Sequence, residues 1–434
     1  MDLPTFAALA LIMIFLVGTP AGYAALEPVL VDAGVFKASC SLGNSCAAQY
    51  AQLEKSANTS LVMMNLMMLP IGVLYDVLGG RCAGPLAAAV WTVSFAIMGV
   101  SVDNGLGFKI GYALISVIGP LLMLTILIEY SHNLLPPKYP ALANGLMTAF
   151  WDLGAISFVI VKYIYVVTGS PPWWMMSVTY AIIVGGLSFV FVVCRFPCDT
   201  SRSISCIEIQ GQITELCDVL LSPLFWAFTV FAIPLVGYGY FWIPIVVQHM
   251  LWHGADMKTA ESYAEVFSWM LPCLGATAGL IPGLFIDLSK PHSTNSVFVI
   301  QIVLSMFLGF SAVFSGALWL QYASFAFFVL WRTAGFAFIN STMMVFFPEG
   351  AGKALSAVYG ISGIISLPIG QWFITLVQSS INYMFWIHVV SCAFSVISTL
   401  MLVIIFANSE RVRDIGRTSS DTEDYPEDDS MSDF

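Results

Sequence analysis

The stretch Leu69-Pro-Ile-Gly-Val-Leu-Tyr-Asp-Val-Leu-Gly-Gly-Arg81 decides the fold class. It opens as an apolar run fit for lipid or a protein interior and closes on a carboxylate, two glycines and a guanidinium. A helix that leaves a membrane, turns tightly at Gly79 and Gly80 and re-enters has this pattern. A second copy stands at Ile281-Pro-Gly-Leu-Phe-Ile-Asp-Leu-Ser-Lys290, its Asp287 following Asp76 by 211 residues in a chain of 434. In each copy a glycine precedes the carboxylate by four residues, Gly72 before Asp76 and Gly283 before Asp287, and a base follows, Arg81 or Lys290. A shorter match sets Leu135-Pro136 with Ala141-Leu142-Ala143 against Phe347-Pro348 with Ala354-Leu355-Ser356, offset by 212 and 213 residues. Concordant offsets near half the chain length point to a duplicated membrane protein.

Composition agrees. The chain is 59% hydrophobic and 9% charged, whereas soluble domains carry roughly 25% charged residues. The missing water-facing surface therefore faces lipid. The net charge of −11 is concentrated in the tail, where Thr418 to Phe434 holds seven acids and no base. The membrane body is only mildly acidic, and nucleic-acid binding is not indicated. Apolar stretches of about 20 residues recur at 5–27, 58–77, 82–102, 108–130, 140–165, 173–194, 223–250, 261–286, 296–318, 320–346, 354–378 and 382–406. The expectation is an all-α polytopic protein with twelve transmembrane helices in two pseudo-symmetric six-helix bundles. The bundles are residues 1–194 and 223–406, joined by a cytoplasmic loop at 195–222. The acidic segment 407–434 has too little apolar area to offset its ordering entropy and is expected to be disordered. Its serines, among acids, suit a kinase or a tail-binding protein; a solubilising tail is the plainer reading.

Twelve spans put both termini on one side. With that side cytoplasmic, inside-facing segments hold nine Lys and Arg residues against five outside, the bias of a cytoplasmic face. Cys40 and Cys46 then lie in an outer loop, where a disulfide persists. Cys194, Cys198, Cys206 and Cys217 cluster without zinc spacing. The five histidines are scattered, with no metal-ligand spacing, and there is no phosphate-binding glycine loop. No enzyme, metal or cofactor is expected.

Twelve spans in two halves, with Gly72, Asp76, Gly79 and Arg81 between spans two and three, resemble the major facilitator superfamily. The resemblance implies that this carboxylate and base latch neighbouring helix ends, although Val77 stands where a second base often follows the Asp. A narrower likeness lies in Gly22-Tyr-Ala-Ala-Leu-Glu-Pro-Val-Leu30, Gly34-Val-Phe36, Cys40, Cys46, Gln49, Leu53, Asn65, Leu69-Pro70 and Gly72. This series, with Asn144-Gly145 and Asp152, is similar to the branch containing the system-L-type large neutral amino-acid transporters and their fungal and protozoan relatives. It implies an amino-acid substrate at the plasma membrane.

In a carrier of this kind the site lies at the midplane between the halves, lined largely by spans one, four, seven and ten. Arg332 sits near the centre of span ten, where a charge costs at least ~2.5–3.5 kcal/mol. Its forked guanidinium suits a substrate carboxylate; the alternative is a structural ion pair, with Asp152 of span five as candidate partner. Asp152 is read first as a structural or gating partner. Glu27 and Glu129 lie near span ends and are read as solvated. Gly22 and Tyr23, in the Gly- and Pro-broken part of span one, would offer freed carbonyls to an ammonium group. Tyr238, Tyr240 and Trp242 of span seven would wall an apolar pocket, or else simply pack. The function expected is alternating-access transport of neutral amino acids, by facilitated diffusion because midplane charges are few. The competing readings are a carrier of another organic anion such as a monocarboxylate, proton-coupled through a group such as Asp152, or a non-transporting receptor or scaffold.

Overall fold

A computed structural model describes residues 3–40, 47–102, 105–134, 140–195, 217, 219–288, 294–314, 317–347 and 351–420. Nine helices among the described residues are long and apolar enough to cross a membrane unaided: Cys82–Val100, Ala141–Val167, Trp173–Cys194, Pro223–Trp242, Met257–Asp287, Ser296–Val313, Leu318–Met343, Gly352–Ser379 and Tyr383–Asn408. These are spans three, five to twelve. Span one is the pair Ala7–Val17 and Thr19–Asp32, bent by 52°, and span two is Ala48–Leu66 and Met68–Tyr75, bent by 45°. Span four lies in the helix Gly105–Leu134. The architecture is twelve helices in two bundles of six. Its two faces are named here by the chain: the terminal face, where spans one and twelve end, and the distal face, which carries Lys37.

Helical hydrogen bonding runs unbroken from Met68 to Val100, yet the chain must reverse within it. Gln52, near the distal start of span two, accepts a hydrogen bond from Lys109. Two residues on, Gly111 sits against the backbone of Ser94 and Met98. A straight helix at 1.5 Å per residue would put Ser94 about 39 Å beyond Met68, farther still from Gln52. Spans two and three are therefore antiparallel. Asp76, Gly79 and Arg81 lie outside the residues whose side-chain surroundings are described, so the latch expected of them has no geometry here.

The second copy of the motif does have one. Asp287, at the terminal end of span eight, accepts hydrogen bonds from the backbone N–H groups of Leu142 (2.6 Å) and Ala141 (3.2 Å). These are orphan donors of the first turn of span five, and a carboxylate is their natural cap. Gly283, one turn before the Asp, permits the approach: a Cβ there would fall 2.4 Å from the Ala141 carbonyl oxygen. In the other half, Gly72 lies against Ser356 of span eleven. The two internal repeats read from the sequence are thus the two sides of one contact. Each half's Gly-x-x-x-Asp helix meets the other half's Ala-Leu segment.

The last helix runs from Tyr383 to Ser420, so residues 407–420 continue span twelve instead of starting a disordered tail; 421–434 lie outside the described residues, as does nearly all of the 195–222 loop. Cys40 is disulfide-bonded, while Cys46 is outside the described residues. Cys82, on the terminal face, is disulfide-bonded too, so disulfides do not tell the two faces apart.

Candidate functional site

The two halves meet at Arg332. Its Nη1 lies 2.7 Å from Asp152 Oδ1, an ion pair from span ten to span five with exposures of 0% and 1%. The neighbouring Thr333 hydroxyl donates to the other carboxylate oxygen. Both Asp152 oxygens thus have a partner, whereas Arg332 Nε and Nη2 are buried without one. Three rings surround the guanidinium, with centroids 5.2 Å (Phe336), 5.5 Å (Tyr240) and 5.9 Å (Trp151) from Cζ. Such faces stabilise a cation by about 0.5–2 kcal/mol each but cannot accept its remaining N–H donors in line. The Tyr240 hydroxyl also makes no hydrogen bond of normal length, with Asn65 and Arg332 beside it.

Local sequence explains this geometry. Gly239 lies beside the aliphatic stem of Arg332, and Gly275 of span eight permits close approach to Asp152, where a Cβ would fall 2.8 Å from the Asp152 Cβ. On the terminal side the same two spans continue as a ladder. Asn340 donates to Thr148 (3.0 Å), Tyr359 donates to Asn340 (2.8 Å) and Ser341 donates to the Ala141 carbonyl (3.0 Å). On the distal side the halves are joined by Lys162 and Glu265 at 3.2 Å and by Gln371 donating to Thr59 at 2.7 Å. Contacts thus join the halves on both faces.

Spans five, seven, eight and ten build this centre. Span one does not line it as expected. Its break is real: a π-helical turn at Met13–Val17, then a 3-10 turn at Thr19–Gly22. The freed carbonyls, however, are already taken. Ser157 donates to Ile14, Thr19 to Phe15, Trp91 to Leu16 and Tyr112 to Pro20. Gly18 and Gly154 instead let spans one and five touch, since a Cβ at Gly154 would lie 2.3 Å from Gly18 Cα. Gly22 packs on Ala155 and Phe158. Tyr23 donates to Glu27 (2.9 Å).

Of the span-seven aromatics, only Tyr240 reaches Arg332. Tyr238 and Trp242 pack in the core of the second half, in a buried chain that sequence spacing concealed. Tyr238 Oη is 2.6 Å from His388 Nδ1, His388 Nε2 is 3.0 Å from His249 Nδ1, and His249 Nε2 is 2.8 Å from Gln321 Oε1. Trp242 stacks on Phe328 and meets both histidines at a tilt. His253, in the connection to span eight, donates to the Ala312 carbonyl at 3.0 Å. Burial pulls its imidazole below the ordinary range, opposed by that hydrogen bond. Three of the five histidines that look scattered in sequence, His249, His253 and His388, therefore converge across up to 139 residues. Glu27 is a further correction: it is 2% exposed, not solvated.

Solved structures match this arrangement along nearly the whole chain. The E. coli fucose:proton symporter FucP superposes with a TM-score of 0.63 over 93% of this chain and 98% of its own, at 13% identity. The proton:xylose symporter XylE, bound to 6-bromo-6-deoxy-D-glucose, gives 0.62 over 93% and 96%, at 14% identity. The chain has the major facilitator superfamily fold. The human organic anion transporter MFSD10 shares it, with a TM-score of 0.59 over 92% of this chain and all of its own, at 12% identity. No protein-family model matches the sequence. A curated relative, Protein FMP42 of Saccharomyces cerevisiae, is 24% identical over 159 residues, 35% of this chain. The match spans about a third of that relative's length, 31%. In the major facilitator frame, Arg332 and Asp152 lie on the seam where the two bundles meet.

Proposed function

We propose that this chain is a secondary carrier that moves small carboxylate-bearing solutes, neutral amino acids foremost, by alternating access of its two bundles. The observation that carries the reading is the half-satisfied guanidinium of Arg332. One arm is held by Asp152, and the other is buried, unpartnered and boxed by Trp151, Tyr240 and Phe336. A buried donor left unmade costs about 1–3 kcal/mol, more for a charged group, and a carboxylate supplies two acceptors in the matching geometry. The aromatic walls suit an apolar side chain. The system-L resemblance over residues 18–85 favours amino acids. The organic-anion transporter among the structural neighbours is consistent with an anionic group at the same kind of seam. The Lys and Arg bias favours a cytoplasmic terminal face, and the resemblance favours the plasma membrane.

The test is uptake by proteoliposomes of labelled leucine, phenylalanine, methionine and lactate. Leucine-class uptake is expected; if none of the four moves, the carrier reading fails. Arg332→Lys keeps the charge facing Asp152 but loses the fork. It should fold and raise KM about tenfold or more, as loss of a charge-assisted hydrogen bond requires. A folded Arg332→Lys protein with unchanged KM removes Arg332 from the binding site.

A further inference from the structure

Two adjacent residues of span ten grip one carboxylate. Consecutive helical residues point about 100° apart, so Arg332 and Thr333 reach Asp152 from two sides. Arg332 Nη1 donates to Oδ1 at 2.7 Å, and the Thr333 hydroxyl donates to Oδ2. Thr333 is fully buried, and the use of its hydroxyl is unusual for this chain. Other threonines in these helices donate backwards, to the carbonyl four residues earlier: Thr92 to Ala88, Thr148 to Asn144, Thr229 to Phe225 and Thr399 to Ser395. That local bond is a common choice for a threonine inside a helix. Thr333 instead sends its hydrogen across the seam. Span ten is held in this orientation from behind, where Trp331 Nε1 donates to Ser395 of span twelve and the Trp331 carbonyl accepts from Gln301 of span nine, each at 3.0 Å. Span eight brings only a glycine to Oδ2: a Cβ at Gly275 would stand 3.1 Å from it. That side offers no side-chain donor to replace the hydroxyl.

A carboxylate that faces an arginine frequently takes two of its N–H groups at once. Here Thr333 holds one oxygen, the ion pair rests on one nitrogen, and Arg332 Nε and Nη2 stay buried without a partner. These are neighbouring nitrogens of the planar fork, the geometry that receives a second carboxylate in two parallel bonds. Without the hydroxyl, Oδ2 would be a buried acceptor lacking a donor, with unsatisfied donors beside it on Arg332. Rotation of the carboxylate onto Nη2 would satisfy both. Nη2 would then no longer be kept for a solute, and the Asp152 charge would oppose the solute's own.

We propose that Thr333 is a positioning residue that keeps the Nε–Nη2 edge of Arg332 open for the solute's carboxylate. It touches no solute; it acts by restricting Asp152 to a single bond with the arginine. The inference rests on the reading of Arg332 as the carboxylate-binding group, and it names the residue that makes the arginine selective for that group.

The test compares the native chain with Thr333→Val, which keeps the shape and deletes the hydroxyl, and with Thr333→Ser, which keeps the hydroxyl. In proteoliposomes the KM for labelled leucine should rise about tenfold or more in Thr333→Val, as loss of a charge-assisted hydrogen bond requires, while kcat changes little. Thr333→Ser should recover most of the lost affinity. Leucinamide, which has no carboxylate, reads out selectivity: leucine's advantage over it as a competitor of uptake should shrink in Thr333→Val by a similar factor. A second readout needs no solute. In infrared difference spectra of protein carrying isotope-labelled aspartate, the split between the asymmetric and symmetric carboxylate stretches should narrow in Thr333→Val, as Asp152 passes from one bond with Arg332 to two, and should not narrow in Thr333→Ser. Should Thr333→Val fold poorly, Thr333→Ala carries the same expectations. An unchanged KM, an undiminished preference for leucine over leucinamide, an unmoved carboxylate band, or Thr333→Ser behaving as Thr333→Val overturns the proposal. Leucine uptake with equal KM in the native and valine chains sinks this inference alone. If the native chain moves no leucine, the substrate reading fails; a narrowed band then still upholds the hold of Thr333 on Asp152, and an unmoved one overturns it.

Discussion

Two buried carboxylate sites, one across the seam and one within the first bundle, are balanced in opposite ways. At the centre, Asp152 has a guanidinium at 2.7 Å and a hydroxyl, so both oxygens of the acid have a partner and the base retains spare donors. On the distal side, Glu27 accepts a hydrogen bond from the Tyr23 phenol, Glu54 keeps Oε1 buried without a partner, and neither has an ion-paired base among the described residues. The first site has surplus donors and fits an anion. The second has acceptors without matching donors. What a buried carboxylate does is thus decided by its partners, not by its burial, which is nearly the same in all three.

The sharpest way to break this comparison is to remove the acid at each site. Asp152→Ala strands a charged guanidinium in the interior, a loss of about 3–5 kcal/mol. Monodisperse protein should fall steeply on fluorescence-detected size exclusion, and Asp152→Ala/Arg332→Met should recover folding but not uptake. If Asp152→Ala proves no worse than Glu54→Ala, charge balance is not what separates the sites. A smaller effect is expected at the terminal face. Asp287→Ala removes the cap on Ala141 and Leu142, worth ~1 kcal/mol. It should speed labelling of an Asn144→Cys reporter by an impermeant maleimide about fivefold, and an unchanged rate would show that the cap does not hold this face shut. Least of all should happen with Glu54→Gln, which keeps the shape and deletes a charge that has no ion-paired base. At pH 8 its melting temperature should match or slightly exceed that of the native chain, within about 0.5 kcal/mol, as replacement of a poorly compensated buried charge allows. A clear drop would mean that the ionised carboxylate has a partner after all.

Much of the scaffold was legible because the solvent leaves so little choice. A run of about 20 apolar residues has few stable settings other than lipid, and the twelve runs read from the sequence correspond to the twelve spans. The duplication was legible as well, since both repeats retain their spacing. Their meaning was not. Nothing along the chain says that Gly283 and Asp287 dock onto Ala141 and Leu142, because a cap of this kind joins segments 145 residues apart. Arg332 announced itself by the cost of its position. Glu27 did not, because its place near a span end reads as access to water. The histidines stayed silent because His249 and His388 lie in different spans and are joined only by helix packing. The carbonyls of span one misled for a similar reason. Glycine and proline reveal that a helix is broken, but not which side chains have already satisfied it.

By itself, then, the sequence determined that this chain crosses a membrane many times, that its halves are copies, and that an arginine lies at mid-depth. Hydropathy and repeat spacing are local properties, carried by each segment before it meets another. The tertiary structure alone decided that Arg332 gives one arm to Asp152 and holds the other among aromatic rings without a hydrogen-bond partner, and that Glu27 and Glu54 are buried without an ion-paired base among the described residues. Pairing and desolvation are properties of neighbours brought together by the fold, and buried charge is governed by what lies within a few ångströms of it. The glycine-to-aspartate motif at 69–81 first reads as a turn. Its copy at 281–287 shows its use, a glycine for close approach and an acid to cap the opposing helix.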